Sequence, residues 1–362
     1  MKIVLAGGGT AGHIEPALAV ARKLQELNPH IDLLFLGTSH GLEKQLVPAA
    51  GFTLAFIPKV KIARKVSPSL LLVPFQLIAA IRRSVGALRG ADCAIGFGGY
   101  VSAPLYLAAK LTRTPFVIHE QNARPGWANR LGAYLTSYRA LSYPIKKGAI
   151  SRGELTGLPL RSDVLSEAAR ASSDWNSARA SAKAEICARY RFNPENPLVF
   201  VFGGSQGSQA INSVIESARQ DLKEKKISVI HGVGRGNELP SSDESYQALP
   251  YIDEMAKLYL ASDLVIARSG AVTCAEFAAL GRFALFIPLP IGNGEQALNA
   301  AQLVASHRAV VISQGVFTRT WMKANITELL AESSKLQVEG DLTSLAAADN
   351  IAGMILRAAG KQ

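Results

Sequence analysis

The sequence predicts an α/β protein made of two Rossmann-like, doubly wound parallel-sheet domains facing a cleft, and three observations carry that prediction. Short apolar runs alternate with helical patterns, the alternation restarts halfway along, and three strand-to-helix junctions are rich in glycine. With 362 residues the chain exceeds one ordinary domain of roughly 100 to 200 residues. Its 48% hydrophobic and 19% charged content belongs to a chain that buries a core, which excludes global disorder.

The first series reads KIVLAG, a helix near Pro16 to Leu27, IDLLFLG, then strands at CAIGF and TPFVIHE. The second begins at PLVFVFGG (197–204) and continues through SVIHGVG, LVIARSG and FALFIPL. Between them, the Ala-, Ser- and Arg-rich stretch 166–191 includes a helix leading into the second domain. The boundary falls near 160–165, giving domains over 1–163 and 164–341. Residues 342–362 hold an amphipathic helix able to pack on either domain, the first included. Ligands of such sheets bind outside the carboxyl ends of the strands, so the cleft is the expected site.

The 39 Lys and Arg against 28 Asp and Glu give a net charge of +11, unevenly placed. Residues 1–165 hold 20 basic and 8 acidic side chains, and the remainder holds 19 and 20. No acid lies between Glu43 and Asp92, where Lys59, Lys61, Arg64, Lys65, Arg82, Arg83 and Arg89 all fall. A local basic surface with an anionic partner is expected on the first domain. The aromatic interleaving of single-strand binders is missing, which makes nucleic acid the least favoured partner.

Cys93, Cys187 and Cys274 are far apart, which points away from a disulfide framework or a zinc site and fits a reducing compartment. Lys2 leads straight into IVLA and glycines, without the length or cleavage site of a secretory signal. The longest apolar run, Leu70 to Ile81, is broken by Pro74 and Gln76 and falls short of the roughly 20 residues that span a bilayer. A soluble chain that touches a membrane is the expectation.

The first glycine loop, Gly7-Gly8-Gly9-Thr10-Ala11-Gly12-His13, matches the dinucleotide pattern at Gly7, Gly9 and Gly12. That chemistry also needs an acid at the carboxyl end of the second strand, for a ribose hydroxyl. IDLLFLGTSHG ends in Gly37, Thr38 and Ser39, with Asp32 at the wrong end, so a dehydrogenase loses ground. His13 either bonds to backbone or acts as a base; the positive helix end would keep its imidazole neutral near pH 7. The second loop, Gly203 to Ser208, offers amides and a helix end suited to phosphate and has no Walker lysine, though a tight turn would use the same glycines. In the third, Ala267 to Glu276, the strand, turn and helix recur, and Glu276 sits where a carboxylate suits the dipole and can accept from sugar hydroxyls.

Seven segments occur in order: GGGTAGHIEPALAVA, GFGGYVSAP (96–104), HEQNARPGWANR (119–130), GLPLR (157–161), GGSQGSQAIN (203–212), YIDEMAKLYLASDLVIARSGAVTCAE (251–276) and EQALNA (295–300). Together they resemble the MurG family, the peptidoglycan transferases that move N-acetylglucosamine from UDP-N-acetylglucosamine to lipid I and form lipid II. The resemblance implies a two-domain GT-B glycosyltransferase with inverting transfer to the C4 hydroxyl of N-acetylmuramic acid. It implies that Ser205 and Arg161 hold the diphosphate, Ile252 the uracil through its backbone, and Glu276 the ribose hydroxyls. Ala271, Val272, Thr273, Cys274, Ala275 and Glu276 would supply the helix start over the diphosphate, and Gln296 would read the sugar. Thr10, Ala11, Gly12, His13 and Asn122 would face the reacting sugars and the acceptor. His13 is the expected group to take or orient the acceptor proton, with Glu120 in reserve. Helix ends and Arg161 would stabilise the charge growing on departing UDP. No carboxylate cluster for a metal is apparent, and no cofactor is expected. Two departures stand out: Ala11 where glycine is more usual, and Glu295 where many members have glutamine, which makes Gln296 the safer sugar contact.

Ser67-Pro68 reads as an N-cap and first helical residue before SLLLVPFQLIAAIRRSVGALRG, whose apolar residues are too many for one buried face. Core packing with Arg82 and Arg83 as solvated ends is one reading. The other is an exposed patch of Leu71, Phe75 and Ile78, rimmed by Lys61, Arg64, Lys65, Arg82 and Arg83, that dips into an anionic membrane surface. A lipid-linked acceptor makes the second useful. The expected partners are UDP-N-acetylglucosamine, lipid I, the anionic inner face of the cytoplasmic membrane, where the protein would be peripheral, and other cell-wall or division proteins. A transferase acting on a soluble small molecule is the alternative from the same fold.

Overall fold

The computed structural model describes residues 1–60, 72–291, 293–336 and 339–360. It divides into two units, Met1–Arg161 with Thr343–Gln362, and Ser162–Leu342. The first unit opens with β1 (Lys2–Ala6), α1 (Ala11–Leu27), β2 (Asp32–Gly37), α2 (Glu43–Ala49), β3 (Thr53–Phe56) and α3 (Val73–Ala87). It continues with β4 (Cys93–Gly96), α4 (Ser102–Thr112), β5 (Phe116–Glu120), α5 (Trp127–Ala133), β6 (Arg139–Leu141) and β7 (Glu154–Leu155). The second unit holds α6 (Ser162–Ala171), α7 (Trp175–Tyr190), β8 (Leu198–Phe202), α8 (Gln209–Glu224), β9 (Ser228–Gly232), β10 (Tyr246–Leu249) and α9 (Met255–Ala261). Then come β11 (Leu264–Ala267), α10 (Ala271–Leu280), β12 (Ala284–Phe286), α11 (Glu295–Asn299), α12 (Ala301–Ala305), β13 (Ala309–Val311) and α13 (Arg319–Lys335). The last helix, α14 (Ala347–Ala358), belongs to the first unit.

Among the described residues the first unit has a seven-stranded sheet in the order β3-β2-β1-β4-β5-β6-β7, and the second a six-stranded sheet in the order β10-β9-β8-β11-β12-β13. The pairs on either side of each reversal, β1 with β2 and β4, and β8 with β9 and β11, are parallel. This is the doubly wound expectation in both halves. The order reverses at β1/β4 and at β8/β11, and in such sheets a crevice opens beyond the carboxyl ends of the strands at that point.

Side-chain alternation explains the layers. Ile3 and Leu5 of β1 pack in one cluster with Ile14, Leu18 and Ala21 of α1 and Ile351, Met354 and Ile355 of α14. Val4 and Ala6 face the other way, with Ala80 of α3 and Leu105 and Tyr106 of α4. β8 repeats the logic: Val199 and Val201 meet Ile211 and Ile215 of α8, while Phe200 and Phe202 each lie about edge-on to Tyr259 of α9, with ring centroids 6.1 Å away. Strands buried on both faces read as continuous apolar runs, which is why they stand out in the sequence.

α1 begins at Ala11, earlier than the periodicity near Pro16 suggests, and carries Pro16 within it. Proline is favoured in a first helical turn and removes a backbone hydrogen bond farther in, so Pro16 reads as a helix start although the helix begins about one turn earlier. Ser67 and Pro68, expected to start α3, lie outside the described residues. No helix among the described residues is long and apolar enough to cross a membrane.

Candidate active site

In the first unit, the strand ends flanking the β1/β4 reversal carry Gly7-Gly8-Gly9 and Phe97-Gly98-Gly99-Tyr100. Gly98 and Gly99 have φ of 88° and 75°. A Cβ on Gly99 would stand 2.9 Å from the Gly8 carbonyl oxygen, and one on Gly98 would stand 3.1 Å from the His13 ring. Glycine is therefore what lets the two loops close around the first turn of α1. Thr10 is the N-cap of α1 and its hydroxyl makes no capping bond, so the first-turn amides of Ala11 and Gly12 keep their donor capacity.

His13 Nδ1 lies 2.8 Å from the Phe97 carbonyl oxygen and 2.8 Å from the Gln121 side-chain amide. A carbonyl oxygen only accepts, so Nδ1 carries the ring proton and Nε2 keeps a lone pair. Gln121 Oε1 has no hydrogen-bond partner among the described residues. With that amide turned over, its oxygen shares the Nδ1 proton with Phe97. Burial holds the His13 pKa below the ordinary histidine value, while the Phe97 carbonyl pulls it up. The outcome is a neutral imidazole with a basic Nε2.

Glu120 has a different part. Its buried carboxylate accepts from the Asn122 N–H (3.0 Å) and Asn122 Nδ2 (3.3 Å) at Oε1, and from the Gly126 N–H (3.0 Å) and Asn129 Nδ2 (3.0 Å) at Oε2. Burial pushes its pKa up and these bonds pull it back. Its acceptor sites are filled by the loop it folds, so the geometry makes Glu120 a brace for Asn122 and for the start of α5. Next to it, buried His119 is held at a pKa of about 4 by desolvation, with Nε2 3.1 Å from Ser142 Oγ. Arg161 is half-buried at the end of the first unit's leading segment.

In the second unit, Ser205 follows β8 in a loop where Gly204 and Gly207 have φ of 94° and 73°. Ser208 caps α8: its Oγ accepts from the Ile211 N–H (3.4 Å) and from Arg268 Nη2 (2.8 Å). Buried Arg268 also donates to the carbonyl oxygens of Ile287 (2.9 Å) and Pro288 (3.2 Å) and to Gln314 Oε1 (2.6 Å), tying together the loops that follow β8, β11, β12 and β13.

The start of α10 is the opposite case. Its N-cap is Gly270, with no side chain to turn back, so the amides of Ala271, Val272 and Thr273 form an open donor array at a positive helix end. Farther along, Cys274 is buried, and the Glu276 carboxylate, also buried, accepts from Tyr259 OH at 3.4 Å. Ile252 lies beyond β10, and a Cβ on Gly232, at the end of β9, would stand 2.8 Å from its side chain. Gln296 Oε1 accepts from the Leu289 N–H (2.9 Å), which fixes the side chain with its amide nitrogen as the remaining donor. Glu295 Oε2 accepts from the Asn293 N–H (3.2 Å), so the residue that departs from the family pattern folds its own loop.

Helix α3 buries Ala80 and Ser84 on one side and leaves Phe75 and Ile78 72% and 49% exposed on the other, with Leu72 exposed just before it. Arg82 and Arg83 are exposed on the same helix. Leu71, Lys61, Arg64 and Lys65 lie outside the described residues.

The sequence alone assigned no site role to Glu43, Tyr100, Gln121 or Arg268. Tyr100, Gln121 and Arg268 at least sit inside the seven segments. Glu43 sits outside them all and reaches the first glycine loop only because β2 pairs with β1.

Residues 3–137 match the glycosyltransferase family 28 N-terminal domain, and residues 198–353 match its C-terminal domain. A curated relative from Thermobifida fusca, named UDP-N-acetylglucosamine--N-acetylmuramyl-(pentapeptide) pyrophosphoryl-undecaprenol N-acetylglucosamine transferase, is 41% identical over 343 residues, 93% of this chain and 87% of its own. Among solved structures, Acinetobacter baumannii MurG matches with a TM-score of 0.70 and 25% identity over 98% of this chain and 99% of that one. A UDP-GlcNAc 2-epimerase from Neisseria meningitidis, at 16% identity and a TM-score of 0.64 over 99% and 100%, shares the fold alone. With both domain matches, the identity to the curated relative and two doubly wound units in agreement, the chain belongs to glycosyltransferase family 28 and, within it, to the MurG family of N-acetylglucosamine transferases.

Proposed function

We infer that this chain transfers N-acetylglucosamine from UDP-N-acetylglucosamine to the C4 hydroxyl of the N-acetylmuramic acid of lipid I, forming lipid II. One observation carries the chemistry: His13 holds its proton on Nδ1 against Phe97 and presents a basic Nε2 beside an uncapped helix start. As the acceptor oxygen attacks the anomeric carbon, Nε2 takes its proton. The bond from that carbon to the diphosphate oxygen breaks, and UDP leaves with the electron pair. Attack from the side opposite the leaving group inverts the anomeric centre.

The leaving diphosphate is stabilised by the Ala271, Val272 and Thr273 amides, by the Ser205 loop and by Arg161, donors that count most where charge develops. Glu276 receives the ribose hydroxyls, the Ile252 backbone the uracil, and Gln296 the donor sugar. Thr10, Ala11, Gly12 and Asn122 face the reacting sugars, Asn122 being held there by Glu120. Phe75 and Ile78, with Arg82 and Arg83, seat the protein as a peripheral protein on the anionic inner face of the cytoplasmic membrane, where its lipid-linked acceptor resides.

The test supplies the purified protein with UDP-N-acetylglucosamine and either a lipid I analogue or water-soluble acceptors lacking the muramic acid unit. The expected result is a product heavier than the lipid I analogue by one N-acetylglucosamine residue. Equal rates with the soluble acceptors would replace this reading by a small-molecule transferase.

A further inference from the structure

The first residue of α2 places a fully buried carboxylate beneath the glycine loop of the first unit. Glu43 Oε2 accepts from the Gly9 N–H (2.9 Å), and Oε1 accepts from the Thr38 N–H (2.8 Å), the Thr38 hydroxyl (3.0 Å) and the Tyr100 hydroxyl (3.4 Å). The donors come from the loops after β1, β2 and β4. Room for the side chain is made by glycine: a Cβ on Gly41 would stand 1.9 Å from Oε2, one on Gly37 2.4 Å from Cγ, and one on Gly8 3.0 Å from Oε1. A carboxylate supplied only with donors, in a chamber that three glycines leave open, is a designed fit for an acceptor-only group.

Its position relative to His13 gives this arrangement a purpose. One branch runs from Glu43 to Gly9, which precedes Thr10, the cap of the helix turn that bears His13. The other runs through Tyr100, whose ring lies 3.1 Å from where a Gly9 Cβ would be, back along Gly99 and Gly98 to the Phe97 carbonyl on His13 Nδ1. Glu43 thus holds both segments that fix the imidazole, one bearing the ring and one supplying the acceptor that sets its tautomer.

We propose that Glu43 is a positioning residue for the transfer reaction, holding the loops after β1 and β4 in the relation that keeps His13 Nε2 basic and aimed at the acceptor hydroxyl. The proposal rests on the transferase reading given above. It predicts a defect in turnover and none in UDP capture, because the residues assigned to the nucleotide lie in the other unit or at Arg161.

The test compares wild type, Glu43→Gln, Glu43→Ala and Thr38→Val. Glutamine keeps the shape and replaces one acceptor oxygen by a donor, so a Gly9 or Thr38 amide loses its partner. Three readouts are taken: kcat with a lipid I analogue, UDP binding by calorimetry, and the His13 tautomer from its ring 15N shifts. For Glu43→Gln the expected result is a kcat lowered by about tenfold to a hundredfold, UDP affinity within about twofold of wild type, and a mixed tautomer. Thr38→Val, which leaves the carboxylate in place with one donor fewer, should show the same signature more weakly. An unchanged kcat and tautomer in Glu43→Gln would overturn the proposal, and so would loss of UDP affinity and fold together in both Glu43→Gln and Thr38→Val. If wild type gave no transfer, the transferase reading would fall, while the tautomer comparison would still decide whether Glu43 sets the His13 ring.

Discussion

The Phe97 carbonyl oxygen lies 2.8 Å from His13 Nδ1, and this one contact decides which ring nitrogen is basic. The sequence suggested two uses for a histidine beside a glycine loop, bonding to backbone or acting as a base. The two are compatible in one arrangement, because the backbone bond at Nδ1 leaves Nε2 with its lone pair.

Turnover should therefore follow the neutral form of His13. Burial lowers its pKa from the ordinary 6.5, so the acid limb of kcat/KM against pH should have its midpoint below that value. Rates should hold on mild acidification and fall only as Nε2 is protonated. His13→Ala should lower kcat by about tenfold or more. A midpoint above 6.5, or normal turnover of the variant, removes His13 as the base.

Loss of the Glu276 carboxylate should weaken donor capture. Glu276→Ala is expected to raise the UDP-sugar KM or lower kcat/KM by about tenfold or more, the size of a lost charged hydrogen bond. Steady-state kinetics with donor varied at saturating acceptor measures this, and wild-type kinetics would move the ribose contact elsewhere.

Acid should destabilise the fold through histidines that the reaction does not use. His119 and His231 are fully buried, and desolvation lowers both to about 4 from 6.5. As pH falls, the unfolded chain takes up these protons first. The stabilisation is thus complete above 6.5 and is lost progressively as pH drops towards 4. At pH 5 each group costs about 2 kcal/mol. The urea midpoint should fall between pH 7 and pH 5, and His231→Gln should show a smaller fall than wild type; equal falls would contradict the assignment for His231.

Replacing Phe75 and Ile78 by serine should weaken binding to anionic vesicles while leaving turnover of a short-chain soluble lipid I analogue unchanged. Arg82→Glu with Arg83→Glu should do the same and reduce the salt sensitivity of binding, each basic residue contributing about 1 kcal/mol near the surface. Co-sedimentation with vesicles of graded anionic content measures both. Undiminished binding by all four substitutions together would move the membrane contact off α3.

Much of this was legible in the chain because the code is local. β8 is short and wholly apolar, β1 is apolar after Lys2, both are followed by glycines, and α10 starts at a glycine turn that any reading of spacing finds. The two-residue strand β7, Glu154–Leu155, has both side chains exposed, so no apolar run announces it; the short outer strand β3 is little better. Glu120 stands as a reserve acid or base only through the family resemblance. Only the fold shows that Asn129, nine positions along, and the Gly126 amide turn back onto the same carboxylate. Glu43 was opaque for the same reason, since its amide partner Gly9 is 34 positions away and arrives through strand pairing.

The most direct measurement of the central claim is the structure of the product by proton NMR after incubating the protein with UDP-N-acetylglucosamine and a lipid I analogue. The account predicts one new glycosidic bond, from the anomeric carbon of N-acetylglucosamine to O4 of the muramic acid, with the anomeric configuration inverted from that of the donor. A bond to another hydroxyl, a retained configuration, or a donor that is epimerised or hydrolysed with the acceptor untouched would contradict it.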